Sequence, residues 1–149
     1  MNIEKLAEEY EKMIGYIVYV AEKPTEESIN HIENELGIKL PSSLINFAKA
    51  SKNYGNWLAS LGADYDAPNH ILSINRMLKL ESKLPANFVV INVGYDEDYS
   101  CLDLETYNKI EDEYLITYWA PDVPLSQSPL SENFPSYMQE HINHWSKNA

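Results

Sequence analysis

Cysteine and basic residues are scarce in this sequence, which contains one cysteine and eleven lysines and arginines. The single cysteine, Cys101, excludes an internal disulfide and any zinc site built on paired cysteines. Long apolar runs are also missing, because the longest, from Ile14 to Ala21, is far below the roughly 18 residues of a membrane span. No basic segment leads into an apolar one near the start, as a secretory signal would require. We therefore expect a soluble cytoplasmic protein.

The shortage of basic residues leaves a strongly acidic chain. Acidic residues outnumber basic ones by 23 to 11, which gives a formal net charge of −12. Between residues 61 and 125 twelve acids accompany four bases, so this segment carries −8 of the total. Such a field repels the phosphate backbone of nucleic acids and attracts cationic surfaces. Direct nucleic-acid binding is therefore not expected, whereas a positively charged partner is.

Apolar residues are sufficient for one folded domain. They make up 44% of the 149 residues, aromatic residues make up 11%, and apolar positions extend from Ile3 to Trp145. This composition excludes a disordered chain, and the length leaves room for a single core. We expect one domain over residues 1–149, without an internal repeat.

Apolar spacing and cap residues predict helices in the first half of the chain. One amphipathic stripe runs from Ile3 to Ile17 at steps of three and four residues. Pro24–Thr25 is typical of a helix start and Gly37 of a helix end, and Pro41–Ser42 opens a third helix. Residues 52–70 have the composition of a long loop, a kind of segment that is often functional.

Strand patterns follow in the second half. Residues 88–94 and 99–105 predict a hairpin, and residues 113–119 predict a third strand. Residues 71–84 have a helical pattern, and the sequence leaves open whether a short strand precedes the helix. The stripe from Phe134 to Trp145 predicts a closing helix. We therefore expect an α+β fold, in which an antiparallel sheet of about four to six strands packs against helices.

The order of several short motifs resembles a known family. The motifs are PTEESINHIENELGIKLPSSLINF from Pro24, NYG from Asn53, LPANFVVINVG from Leu84 and YSCLDLE from Tyr99, followed by a late aromatic helix. They resemble the SUKH superfamily, named partly for the yeast Smi and Knr cell-wall regulators, over nearly the whole chain. The sequence departs from the family pattern where Gly55 replaces a glycine doublet and where TYNKIEDE replaces a tight turn.

The resemblance implies a binding protein rather than an enzyme. Bacterial SUKH members are mostly immunity proteins, which neutralise a toxin that a neighbour delivers or that is encoded beside them, frequently a nuclease. The resemblance thus implies a cognate toxin as partner, blocked by stoichiometric occlusion, with no cofactor and with no membrane contact. A monomer or weak dimer is expected. The alternative is an intracellular regulatory or scaffold module like the yeast relatives.

Three acidic clusters are the candidate partner-binding residues. Carboxylates interleaved with tyrosines can pair with lysines and arginines while the rings supply contact area. The same residues also suit ordinary solvated turns. If the first two clusters lie side by side, they form one acidic and aromatic patch. The clusters are Tyr95, Asp96, Glu97, Asp98 and Tyr99; Asp64, Tyr65 and Asp66; and Glu111, Asp112 and Glu113.

Other chemistry has weaker support in the sequence. His141 and His144 have the spacing of metal ligands, but no third ligand is placed by spacing, and a polar helix face explains them equally. Asp103 and Glu105 are expected on one strand face, as a carboxylate-pair hydrolase requires, although a structural role for Asp103 is equally available. Trp57 and Trp119 suit either an interface or the core. No phosphate loop, dinucleotide fingerprint or catalytic triad signature occurs, so no catalytic, cofactor or metal residue is assigned.

Overall fold

A computed structural model describes residues 2–14, 21–93, 98–122 and 129–147. The predicted α+β class is confirmed, because helices flank a four-stranded antiparallel sheet in the described part of the chain. None of the helices in these ranges is long and apolar enough to cross a membrane. The elements are α1 (Ile3–Ile14), α2 (Glu26–Leu36), α3 (Ser42–Ala50), α4 (Ile71–Glu81), β1 (Phe88–Val93), β2 (Tyr99–Asp103), β3 (Ile116–Trp119), β4 (Pro129–Ser131) and α5 (Phe134–Lys147), with short 3-10 turns at Tyr54–Asn56 and Leu104–Thr106.

The sheet is a meander in the order β1-β2-β3-β4, with each strand antiparallel to the next. Val90 lies opposite Cys101, which is fully buried, so the cysteine packs as a small apolar residue as expected. Helix α1 packs against α3 and α5, and α4 lies against β1. The rings of Tyr10, Phe47 and Phe134 meet edge to face at centroid distances of 5.4 and 5.7 Å.

The caps predicted for α2 are present. Thr25 and Ser28 form a capping box, in which each side chain accepts a hydrogen bond from the backbone N–H of the other residue. Gly37 ends the helix with φ of 67°, and its N–H donates to the carbonyl of Glu33. This left-handed conformation favours glycine because it has no Cβ.

Helix α4 begins directly at Ile71, without a preceding strand, and this settles what the sequence left open. His70 caps the helix, since its Nδ1 accepts a hydrogen bond from the N–H of Leu72 at 3.1 Å. One turn later the buried amide of Asn75 binds both backbone groups of Val90, donating to the carbonyl at 3.0 Å and accepting from the N–H at 2.8 Å. Asn75 therefore fastens α4 to the outer edge of β1.

The outer edge of β1 is also covered by the segment that follows the first 3-10 turn. The N–H of Ala59 donates to the carbonyl of Ile91 at 2.9 Å, and Leu58 forms an isolated bridge with Asn92. The side-chain amide of Asn92 donates to the carbonyl of Trp57. Because these bonds occupy an edge that would otherwise be open, they fix Trp57 beside the sheet.

Two strand boundaries differ from the prediction. Strand β3 begins at Ile116 rather than residue 113, because the preceding residues pair with a turn: the N–H of Leu115 donates to the hydroxyl of Thr106. Strand β2 ends at Asp103, and Glu105 lies in a 3-10 turn, so the expectation that both carboxylates share a strand face was wrong. The first helix is described to Ile14, and the rest of its predicted range lies outside the described residues.

Candidate partner-binding surface

A groove of about 350 Å³ opens beside the start of β2. Four segments of the chain form its walls, and the side chains used below are Trp57, Leu58, Asn69, Ile74, Met77 and Tyr99. We call it the Trp57 groove. Pro68 also lines it, so the groove joins the end of the 52–70 loop to the hairpin strand that begins at Tyr99.

Trp57 is held rigidly at this position. Its indole stacks on the imidazole of His141 with centroids 3.7 Å apart and planes inclined by 14°, and it also faces the ring of Tyr137. Burial lowers the pKa of His141 to about 4, with the nearby charge of His144 as a smaller cause. The neutral imidazole is therefore the form that packs against Trp57 near neutral pH.

This stack predicts a loss of stability in mild acid. The pKa of His141 is lower in the folded state than its ordinary value of 6.5, so the unfolded chain binds the proton more readily. The free energy of unfolding should fall as the pH drops from about 6.5 to about 4, and the His141 contribution should level off below that pH. Urea unfolding measured at several pH values checks this.

The comparison variants are His141→Gln and His144→Gln. His141→Gln removes the imidazole and should therefore flatten the pH dependence of the free energy of unfolding between about pH 6.5 and about pH 4. His144 lies on the exposed side of α5, outside the Trp57 stack, so His144→Gln should leave the dependence in place. Identical pH profiles for the wild type and His141→Gln would contradict the assignment.

Both carboxylates of the cluster formed by Asp64, Tyr65 and Asp66 are open to solvent. Asp64 and Asp66 are exposed, whereas Tyr65 is half-buried, with its ring 4.1 Å from that of His31 and 5.4 Å from that of His70. The hydroxyl of Ser73 on α4 donates to the carbonyl of Tyr65 at 2.9 Å. Tyr65 therefore anchors the loop, and the two aspartates project from it.

The hairpin cluster is described only in part. Tyr95, Asp96 and Glu97 lie outside the described residues. Tyr99 is buried against Trp119, with centroids 5.4 Å apart, and lines the Trp57 groove. Asp98 precedes it and is half-buried. Burial raises the pKa of the Tyr137 hydroxyl, with Cys101 and Asp98 as smaller causes in the same direction.

The loop and the hairpin therefore meet at the groove. Pro68 and Asn69, which follow Asp66, form part of one wall, and Tyr99, which follows Asp98, forms part of another. Acidic residues adjoin both walls in the sequence, and the rings of Trp57 and Tyr99 line the groove. The partner role of these residues, and their joining into one acidic and aromatic patch, stay predictions.

The third cluster lies elsewhere and contacts two helix starts. Asp112, with φ of 55°, accepts hydrogen bonds from the N–H and hydroxyl of Ser42 at the start of α3. Pro41 precedes this helix and has no side-chain oxygen to cap it, so the carboxylate takes that role. Burial acts to raise the pKa of Asp112, but hydrogen bonds from Ser42 and Tyr107 hold it below the usual value.

Glu113 likewise accepts a hydrogen bond from the first backbone N–H of α5. Its carboxylate accepts from the N–H of Phe134 at 3.0 Å and from the hydroxyl of Ser43 at 2.5 Å, and it is buried. Burial raises the pKa of Glu113 above its usual value. Glu111 is the member of this cluster with an exposed side chain. Contact of the cluster with a partner stays a prediction, and Asp112 and Glu113 already have partners within the fold.

Glu113→Ala should lower the free energy of unfolding by about 2 kcal/mol, because the substitution leaves the Phe134 N–H and the Ser43 hydroxyl without their acceptor. Glu113→Gln should lose less, since the amide oxygen still accepts one bond. Glu111→Ala, at an exposed position of the same turn, should stay within about 0.5 kcal/mol of the wild type. Urea denaturation measures all three, and equal effects at positions 111 and 113 would refute the capping role.

The remaining candidate residues take part in the packing and hydrogen bonding of the fold. Trp119 is buried in the core. Asp103 accepts hydrogen bonds from the Asn87 side chain and from the N–H of Glu105, which agrees with its structural alternative. Within the described ranges, no group of three His, Cys, Asp or Glu side chains is placed to hold a metal ion.

The sequence did not predict the groove itself. Trp57 lies within the predicted loop of residues 52–70, but no periodic pattern in the sequence connects it with Asn69, Met77 and Tyr99. The one available signal was a tryptophan inside a long polar loop, which is typical of an anchored loop.

Comparison with known proteins identifies the family. The family model described as SMI1-KNR4 cell-wall (SUKH_5) matches residues 3–144. The chain therefore belongs to the SMI1-KNR4 family, and the resemblance to the SUKH superfamily is confirmed. No match is found among curated proteins.

A solved structure shares the fold. It is the crystal structure of a protein from Pseudomonas syringae pv. tomato, with a TM-score of 0.59 and 17% sequence identity, over 84% of this chain and 89% of that one. At this identity the likeness concerns the fold alone.

Proposed function

We propose that the protein is an immunity protein, which binds and neutralises a cognate toxin of a contact-dependent or polymorphic toxin system. The toxin is a cationic nuclease, and it is blocked by one-to-one occlusion rather than by chemistry. The observation that carries the proposal is that Pro68 and Asn69 of the long loop and Tyr99 of the hairpin strand line one aromatic groove, in a chain that belongs to the SMI1-KNR4 family.

Charge supports a cationic partner. A nuclease domain needs positive charge to hold its nucleic-acid substrate. An inhibitor with a net charge of −12 is attracted to that surface, and its carboxylates compete there with phosphate groups. Asp64 and Asp66 are exposed and therefore accessible to such a partner without a rearrangement of the fold.

The aromatic groove supports a stable complex rather than a loose electrostatic encounter. Exposed ion pairs contribute little affinity by themselves, and most binding energy in interfaces comes from a few buried aromatic and arginine side chains. The groove supplies rigid aromatic surface, since Trp57 stacks on His141 and its carbonyl accepts a hydrogen bond from the side-chain amide of Asn92. Acidic loops thus speed association, and the groove slows dissociation.

The test uses the C-terminal domain encoded by the toxin gene next to this one, in a catalytically inactive form. Isothermal titration should give a one-to-one complex with a Kd of about 1 nM or lower, near −12 kcal/mol. The complex should also prevent cleavage of nucleic acid by the active domain at equimolar ratio. Absence of a complex at micromolar concentrations in low salt would contradict the proposal and favour the regulatory or scaffold module.

A further inference from the structure

The Trp57 groove has the chemistry of a receptor for an apolar side chain. Leu58, Ile74 and Met77 contribute aliphatic surface, and Trp57 and Tyr99 contribute rings. Its volume of about 350 Å³ lies within the range of pockets that bind small ligands. Met77 is 45% exposed at the mouth, and a flexible thioether can adjust to the shape of an incoming group.

Polar atoms of the lining residues specify what else an occupant must provide. The side-chain nitrogens of Asn69 and Trp57 are buried and have no hydrogen-bond partner within the described part of the chain, and Asn69 is the one used here. A buried donor without an acceptor costs about 1–3 kcal/mol, so it gains most from a ligand that brings an oxygen. A lysine or arginine head group has no acceptor atom, whereas a backbone carbonyl has one. The groove therefore favours an apolar side chain together with its peptide carbonyl.

The edges of the groove specify the charge of the residues next to that side chain. Asp66 lies two residues before Pro68 on one wall, and Asp98 directly precedes Tyr99 on the other. Acidic residues that adjoin both walls in the sequence favour basic residues flanking the apolar one. A peptide segment with one large apolar residue next to lysine or arginine satisfies all three features.

We infer that the Trp57 groove receives one large apolar side chain from a loop of the cognate toxin, whose backbone carbonyl accepts a hydrogen bond from Asn69, while flanking basic residues face Asp66 and Asp98. This inference rests on the proposed function and names the segment of the partner that enters the site. The inserted side chain is the anchor of the complex, and the acidic loops select the charge of its neighbours.

A test without the toxin uses two capped dipeptides, acetyl-Phe-Lys-amide and acetyl-Gly-Lys-amide, which differ only in the apolar side chain. Titration is followed by the indole N–H signals of the three tryptophans in ¹⁵N-labelled protein, with Trp57→Phe to assign that signal. The phenylalanine dipeptide should shift the signal of Trp57 and the side-chain amide of Asn69 with a millimolar Kd. The glycine dipeptide should leave both in place at the same concentration.

Matched variants on α4 locate the site. Met77→Trp fills the mouth of the groove and should abolish the shifts, whereas Leu80→Trp, on the same helix at a position that is 81% exposed and outside the groove, should retain them. Asn69→Ala should weaken dipeptide binding about fivefold and serves as the second variant if Met77→Trp does not fold. Unchanged binding by both Met77→Trp and Asn69→Ala, or equal shifts with both dipeptides, would overturn the inference.

The same variants separate this inference from the proposed function. If the toxin domain binds the wild type, Met77→Trp should weaken that complex at least tenfold while Leu80→Trp does not. Equal toxin affinity of the two variants would place the anchor elsewhere and leave the proposed function intact. Dipeptide binding in the groove without any toxin binding would instead contradict the proposed function.

Discussion

Asn75→Leu is expected to lower the free energy of unfolding by about 3 kcal/mol, although leucine is similar in size and suits a helix. The amide of Asn75 replaces a neighbouring strand for Val90, donating to its carbonyl and accepting from its N–H. Leucine leaves both backbone groups buried and unpaired, and each such group costs about 1–3 kcal/mol. The effect is large because α4 is fastened to β1 through this contact.

Urea denaturation of the wild type and two variants measures the effect. Asn30→Leu is the control, because it makes the same substitution at an exposed position within α2. It should change stability by no more than about 0.5 kcal/mol. A free energy of unfolding for Asn75→Leu within that margin of the wild-type value would show that the stability of β1 does not depend on the amide.

Neutralisation of the acids beside the groove is expected to slow association with the toxin domain about tenfold at low salt. Electrostatic steering raises association rates by roughly 10–10³-fold, and its effect declines as salt screens the charges. The dependence of the rate on ionic strength should therefore become shallower, and the rates of variant and wild type should converge near 1 M salt. The substitutions, made together, are Asp64→Asn, Asp66→Asn and Asp98→Asn.

The control removes the same number of charges from exposed positions that do not line the groove. If position matters, the control should associate nearly as fast as the wild type in stopped-flow or surface-plasmon measurements. Equal slowing in both variants would mean that net charge alone steers the partner and would remove the loops from the site. The control substitutions are Glu8→Gln, Glu35→Gln and Glu105→Gln.

Local signals explain why the helices of the first half were predictable. Thr25 caps α2 with its side chain and Gly37 ends it with a left-handed backbone conformation, so both roles are visible in the sequence. The start of α4 was not predictable in this way, because His70 is an unusual cap and Ile71 also suits a strand. Strand β4 has three residues and begins with Pro129, too short a pattern to be recognised.

The candidate site was predictable only as separate pieces. Asp64, Asp66 and Asp98 are recognisable as acidic loop residues, but the meeting of the loop and the hairpin strand at one groove depends on tertiary contacts such as that between Asn92 and Trp57. The roles of Asp112 and Glu113 depend on helix starts that lie up to 70 residues away in sequence. Composition could not distinguish acids that cap helices from acids that face solvent.

The most direct test of the account is growth of cells that express the active toxin domain together with this protein. The wild type should restore growth and form a complex with the toxin, and the variant with neutralised Asp64, Asp66 and Asp98 should require higher expression to do so. Continued growth arrest with the wild type folded and in excess would contradict toxin neutralisation.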